Sequence, residues 1–190
     1  MTINDADIKI CSRALQLIGA DEITSFEDET REARLCAQWY STLKKATLQK
    51  HYWRFSIRQE KLNKLISTPL YDFNFAYQLP TDFLRFVGKQ NPSIQHQFFE
   101  NKIYTNADPL WVTMQYDVGA QYFPAYFEYL LALEMAKILA FGLLEDDSKA
   151  SNLEALARNQ LVSARTIDSQ NNTTTVLSQE NFSLTNVRNG

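Results

Sequence analysis

From Ala125 to Leu144 the chain is apolar on nearly every side of a helix, interrupted only by Glu128, Glu134 and Lys137. A helix of that kind must be covered all round, so the rest of the chain has to be long enough to wrap it. A membrane span is a poor reading. No run reaches the roughly 18 uninterrupted apolar residues required, and each central charge would cost about 2.5–3.5 kcal/mol on insertion. Pro124 suits the first turn, so a buried central helix is expected over 124–144. The chain's 190 residues fit one domain, or one domain plus a tail.

The flanking segments supply the cover. Ala6, Ile10, Cys11, Ala14, Leu17 and Ile18 form a stripe on a first helix over about 4–18, capped by Thr2 or Asn4 and stopped by Gly19. After the acidic Glu27-Asp28-Glu29 turn, a second helix over about 29–50 places Ala33, Cys36, Ala37, Tyr40, Leu43 and Thr47 on one side. Asp146, Asp147 or Ser148 caps a fourth over about 148–168, with a stripe of Leu153, Leu156, Ala157, Gln160, Leu161 and Ala164. Two helical hairpins are expected, residues 1–50 making one and 124–168 the other.

Between them, over about 52–117, Pro69, Pro80, Pro92 and Pro109 forbid long helices. Trp53–Arg58 and Leu110–Tyr116 alternate at period two, Phe83–Val87, Ile94–Phe99 and Ile103–Thr105 are shorter strand candidates, and Glu100-Asn101-Lys102 reads as a hairpin turn. The fold class is therefore α+β: mainly helical, with a small antiparallel β-sheet or barrel inserted between the hairpins. Residues 1–168 make the domain and 169–190 an extended tail, too poor in apolar residues for a core of its own.

Composition excludes several functions. Nineteen bases against twenty-two acids lack the footprint of a dedicated nucleic-acid binder. The charge is nevertheless blocked, with two bases against seven acids in residues 1–30 and nine bases against two acids in residues 31–64. The basic block reads as a solvated helix face or as a surface that meets a charged partner. Cys11 and Cys36 are expected as buried free thiols, and the start of the chain carries no secretory pattern, so a cytoplasmic origin is expected. Five isolated glycines build no phosphate loop, His51 and His96 with the two cysteines lack zinc spacing, and Gly-x-Ser-x-Gly is missing. Asp72 and Asp82 read as solvated loop acids. No catalytic residue, metal site or cofactor is assigned.

The order of segments carries a resemblance. Ser12-Arg13-Ala14-Leu15-Gln16-Leu17-Ile18-Gly19, an acidic loop, a second helix and His51-Tyr52-Trp53-Arg54-Phe55 resemble the amino-terminal half of the tail tubular protein A family. These are head-to-tail adaptors of short-tailed bacteriophages. Phe75-Ala76-Tyr77-Gln78-Leu79-Pro80-Thr81-Asp82-Phe83-Leu84-Arg85 is similar to that family's Tyr-x-Leu-Pro-x-Asp-x-Leu stretch, and Met114–Asp117 followed by Tyr122–Phe127 resembles the strand leading into its long helix. The likeness covers about residues 5–168, while the tail lacks the tryptophan and basic residues of many relatives.

The resemblance implies a structural virion protein, made in host cytoplasm and sited at the head-tail interface. It would form a ring, usually dodecameric, between the portal protein and the tail nozzle protein, with tail fibres as further neighbours and genomic DNA passing in non-specific contact. An aromatic fraction of 13% suits a ring, whose heterologous contacts use two patches per subunit. Interface candidates are Trp39, Trp53, Phe98, Phe99 and Trp111, the bases Lys44, Lys45, Lys50, Arg54 and Arg58, and Val176, Leu177, Phe182 and Leu184 in the tail. Two alternatives stay open: a nucleic-acid-binding module using the basic block with Tyr52 and Trp53, and a tail-associated cell-wall hydrolase.

Overall fold

The computed structural model describes residues 5–170 apart from 68, 70 and 71. Four helices, α1 (Asp5–Ile18), α2 (Arg31–Gln49), α3 (Ala125–Leu139) and α4 (Asp147–Gln170), bracket six strands. The strands are β1 (Ile57–Lys61), β2 (Phe75–Gln78), β3 (Phe83–Lys89), β4 (His96–Phe99), β5 (Lys102–Thr105) and β6 (Trp111–Tyr116). The α+β class holds, with the insertion resolved into two three-stranded antiparallel sheets, β1-β6-β3 and β2-β5-β4. The proposed caps Thr2 and Asn4 lie outside the described residues.

Local chemistry fixes the ends. Gly19 takes φ +75°, and the Gly19 and Ala20 N–H groups donate to the Gln16 and Leu15 carbonyls, closing α1 in the left-handed stop that glycine permits. Thr30 caps α2 by accepting from the Ala33 N–H at 3.1 Å, and Asp146 accepts from the Lys149 N–H at 2.8 Å to start α4. The buried helix expected to reach Leu144 is α-helical to Leu139 and then widens into a π turn, Ala140–Leu144. Glu100 and Asn101, both at positive φ, form the two-residue turn between β4 and β5.

α3 is the axis of the bundle. α1, α2 and α4 each pack on it, while α1 and α2 meet one another mainly through side chains such as the Tyr40 hydroxyl donating to Asp7 at 2.6 Å. The three charges of α3 are all accommodated: Glu128 pairs with Arg13, and Glu134 takes Lys50 and Lys137. Cys11 and Cys36 are free, buried thiols.

The three outer stripes bury most of their expected residues, among them Ile10, Cys11, Ala14 and Ile18 in α1, Ala33, Cys36, Tyr40 and Thr47 in α2 and Leu153, Ala157 and Ala164 in α4, and differ at their edges. In α1, Ser12 and Leu15 are buried and Leu17 is exposed; in α2, Lys44 and Leu48 are buried and Ala37 is exposed; in α4, Leu156 is exposed and Asp168 is buried. Lys44 is drawn inward by Asp117, just after β6, and Asp168 by the Arg54 N–H and the Tyr126 hydroxyl.

Trp53–Arg58 is not one strand. Arg54–Ser56 forms a 3-10 turn and β1 begins only at Ile57. Trp53 is pulled inward instead, 0% exposed, edge-on to Phe127 and with its indole N–H donating to the Thr47 carbonyl at 3.1 Å. Burial of that large ring outweighs the period-two pattern around it. A second apolar cluster, including Tyr77, Ile103, Leu110, Met114 and Tyr116, lies among the strands, so the molecule has a helical core and a β core.

Candidate functional site

Two clefts flank these cores. The first lies on the β2-β5-β4 sheet, whose register puts Ala76, Tyr104 and Gln97 on one face together with Gln78, Lys102 and Phe99. The opposite face carries Tyr77, Ile103 and Phe98 inward, where Phe98 meets Phe83 and Phe86. On the outward face a cleft of about 550 Å3 forms between Phe73, Phe99, Tyr104, Asp72 and Glu100. Phe99 is 63% exposed at its rim, a position that leaves most of its ring to cover another surface.

The second cleft, about 490 Å3, opens where α2 ends beside the last turns of α4, between His51, Tyr52, Arg54, Ile57 and Asp168. Gln115 braces its wall from β6: its side-chain amide donates to the Leu48 and His51 carbonyls, each at 2.8 Å. Asp168 is buried and receives the Tyr126 hydroxyl at 2.7 Å and the Arg54 N–H at 3.2 Å, which caps the 3-10 turn. The Arg165 guanidinium donates to the Lys50 carbonyl at 2.5 Å, and Arg85 stacks 3.6 Å over the Tyr52 ring. Burial, reinforced by Arg165 and Arg85 against the opposing pull of Asp168, lowers the His51 pKa. His51 is therefore neutral at neutral pH, and its 3.7 Å approach to Asp168 is a polar contact rather than an ion pair.

The basic block does not form one solvated face. Lys44 is 2% exposed, sealed against Asp117 at 2.7 Å, and Trp53 is core; neither is available to a partner. Lys50 is largely committed to Glu134, and Arg58 binds Asp82 at 2.6 Å while covering the Tyr116 ring. Lys45 remains half-exposed, 3.9 Å from Asp117, and the exposed Arg54 rims the second cleft. Trp39, Phe98, Phe99 and Trp111 are surface-exposed in part. Val176, Leu177, Phe182 and Leu184 lie outside the described residues.

Sequence reasoning missed Arg85, Arg165 and Asp168 as a group. The signal was present in Asp168, which stands four residues beyond Ala164 on the buried side of α4, and in Lys44, four beyond Tyr40 on that of α2. A charge on an apolar stripe needs a partner from elsewhere in the fold.

Among the described residues no group of three or more His, Cys, Asp or Glu is arranged to hold a metal ion, and no helix is long and apolar enough to cross a membrane. No family model matches the chain, and a search of the curated proteins finds no match either.

Proposed function

We propose that the protein is a structural adaptor of a short-tailed bacteriophage, a ring-forming subunit that joins the portal to the tail nozzle and surrounds the path of the DNA. The observation that carries the proposal is the exposure of large apolar side chains on both halves of the molecule. Phe99 and Trp111 stand out from the β region, while Tyr129 and Phe141 stand out from α3 and its π turn. Exposed apolar side chains in two unlike regions of one subunit suit a heterologous contact, which uses two different surfaces. The segment order that resembles tail tubular protein A supplies the choice of assembly.

The free chain is expected to be largely monomeric and to close its ring on the portal, with Val176, Leu177, Phe182 and Leu184 of the tail docking on the portal or on a neighbouring adaptor. The deciding experiment is electron microscopy of the purified protein mixed with the portal of the same phage. A ring of adaptor density beneath the portal supports the reading. Unchanged portals, with the protein sedimenting as a compact two-fold dimer centred on those aromatics, would sink it.

A further inference from the structure

The helical bundle is electrically polarised from end to end. At one end the α1–α2 loop presents Asp21, Glu22, Glu27 and Glu29, and the turn into α4 presents Glu145 and Asp147, all exposed. The two regions are tied together, since Lys149 Nζ donates to the Ile18 carbonyl at 2.9 Å and Arg31 to the Gly142 carbonyl at 2.7 Å. Those two bases are thus engaged by backbone oxygens, and among the described residues Glu27, Glu29, Glu145 and Asp147 make no ion pair. Phe141, 65% exposed, projects from the same end beside Leu144.

At the other end lies the second cleft, with the opposite character. Arg54 lines it, Arg85 and Arg165 stand near enough to act on the charge of His51, and its carboxylate, Asp168, is already engaged by Tyr126 and the Arg54 N–H. Tyr52 and Ile167 add exposed apolar surface there. From Asp147 to Arg165 along α4 is roughly 27 Å at 1.5 Å per residue. The acidic end of one chain therefore cannot reach the basic cleft of the same chain.

We infer that the cleft formed by His51, Tyr52, Arg54 and Ile57 receives the acidic end of a second copy of this chain, the Glu27/Glu29 loop and Phe141 entering it head to tail. Charge complementarity selects this occupant: an end of the bundle rich in exposed carboxylates and carrying the exposed Phe141 matches a cleft lined by Tyr52 and Arg54 with Arg85 and Arg165 close behind. The contact is heterologous, so it propagates into a ring where the rotation closes. In that respect it rests on the ring reading and names the two surfaces that such a ring would join. Opposed charges at the rim are screened beyond about 10 Å at 0.1 M salt, so the contact weakens as salt rises.

The test uses the full chain and two variants, Arg54→Glu and the pair Glu27→Lys with Glu29→Lys, each checked for an unchanged melting profile. Sedimentation of the concentrated wild type at low salt should show species heavier than the monomer that dissociate at high salt. Each variant alone should lose this association by about tenfold or more, and an equimolar mixture should regain it, because one partner keeps the native end and the other the native cleft. A monomeric wild type at low salt, variants that associate like wild type, or a mixture that stays monomeric would each overturn the inference. So would Arg54→Glu abolishing the binding of a single-stranded oligonucleotide while self-association is untouched, which would give the cleft to nucleic acid. Because no portal is present, failure here leaves the portal micrograph free to succeed, and failure of the micrograph leaves the mixing result standing.

Discussion

The helical core and the β region draw on the same aromatic residues and use them in opposite ways. Around α3 the rings interlock: Trp53 meets Phe127 edge-on, and Phe127 meets Phe55 and Phe123 the same way, with centroids 4.7–5.2 Å apart. On the β2-β5-β4 sheet the chain leaves Phe99 mostly outside, and at the start of β6 it leaves Trp111 half-exposed. An edge-to-face contact adds about 0.5–1.5 kcal/mol beyond area burial, so the helical rings contribute to folding. Phe99 and Trp111 contribute little there and keep their surface for contact with something else.

The sharpest way to break that contrast is to remove one ring from each side. Trp53→Ala should cost about 3–5 kcal/mol, read as a large fall in the denaturation midpoint, because it leaves a cavity among Phe55, Tyr126 and Phe127. Phe99→Ala should move the midpoint by about 0.5 kcal/mol or less while weakening assembly on the portal. Equal losses of stability would mean that the β surface is as structural as the bundle.

Adjacent lysines sharpen the same contrast within a single helix. Lys44→Glu sets a carboxylate against Asp117 in a site that is sealed from water, and should cost about 3–5 kcal/mol. Lys45→Glu alters a half-exposed group, and about 1 kcal/mol or less is expected. Urea titration of the two variants side by side is the measurement. A Lys44→Glu protein as stable as the wild type would return that side chain to the surface.

Much of this division is legible in the amino-acid sequence. The apolar run from Ala125 is the axis of the bundle, and the prolines mark out the β insertion, because both signals depend only on local sequence. What is not legible there is which side chains at the edges of each outer stripe turn inward. Lys44 reads as part of a charged face until Asp117, seventy-three residues on, is known to lie beside it; Asp168 reads as a helix end until Arg54 and Tyr126 arrive as donors. Trp53 sits in a period-two run and is removed from it by the core. These are long-range facts, and a pattern that extends over four residues cannot carry them. The second cleft escapes sequence reasoning for that reason, its side chains coming from the segment after α2, the 3-10 turn, β1 and the end of α4.

A smaller effect tests the cap on that turn. Asp168→Asn keeps the shape but removes the charge that holds the Arg54 N–H and faces the Tyr126 hydroxyl. A loss of about 1–3 kcal/mol is expected, with local exchange of the Arg54 amide rising more than that of β2 or β5. Uniform exchange across both regions would argue that the turn is not a separate element of the bundle.

The smallest expected effect is the dependence of stability on pH, and it touches both regions through one histidine each. Burial, with Arg165 and Arg85, lowers the His51 pKa in the helical region, and burial, with Lys89, lowers that of His96 in the β region, both from an ordinary 6.5. His96 shows the cause directly, its Nδ1 accepting from Lys89 at 3.0 Å, a contact that requires the neutral ring. A group whose folded pKa lies below its unfolded value is protonated first in the unfolded chain. Its contribution is therefore fully present above about pH 6.5 and is lost as pH falls from there toward the folded pKa. Asp28, Asp108 and Glu134, held below the ordinary carboxylate range, lose their contributions only at lower pH, so the interval just under pH 6.5 isolates the histidines. Stability measured by urea titration from pH 8 to pH 5 should decline on the acid side, and His51→Gln and His96→Gln should each flatten part of that decline. If the decline is carried by His51 alone, the polar environment of the helical end is the stricter of the two; a rise in stability on acidification would contradict the burial of both rings.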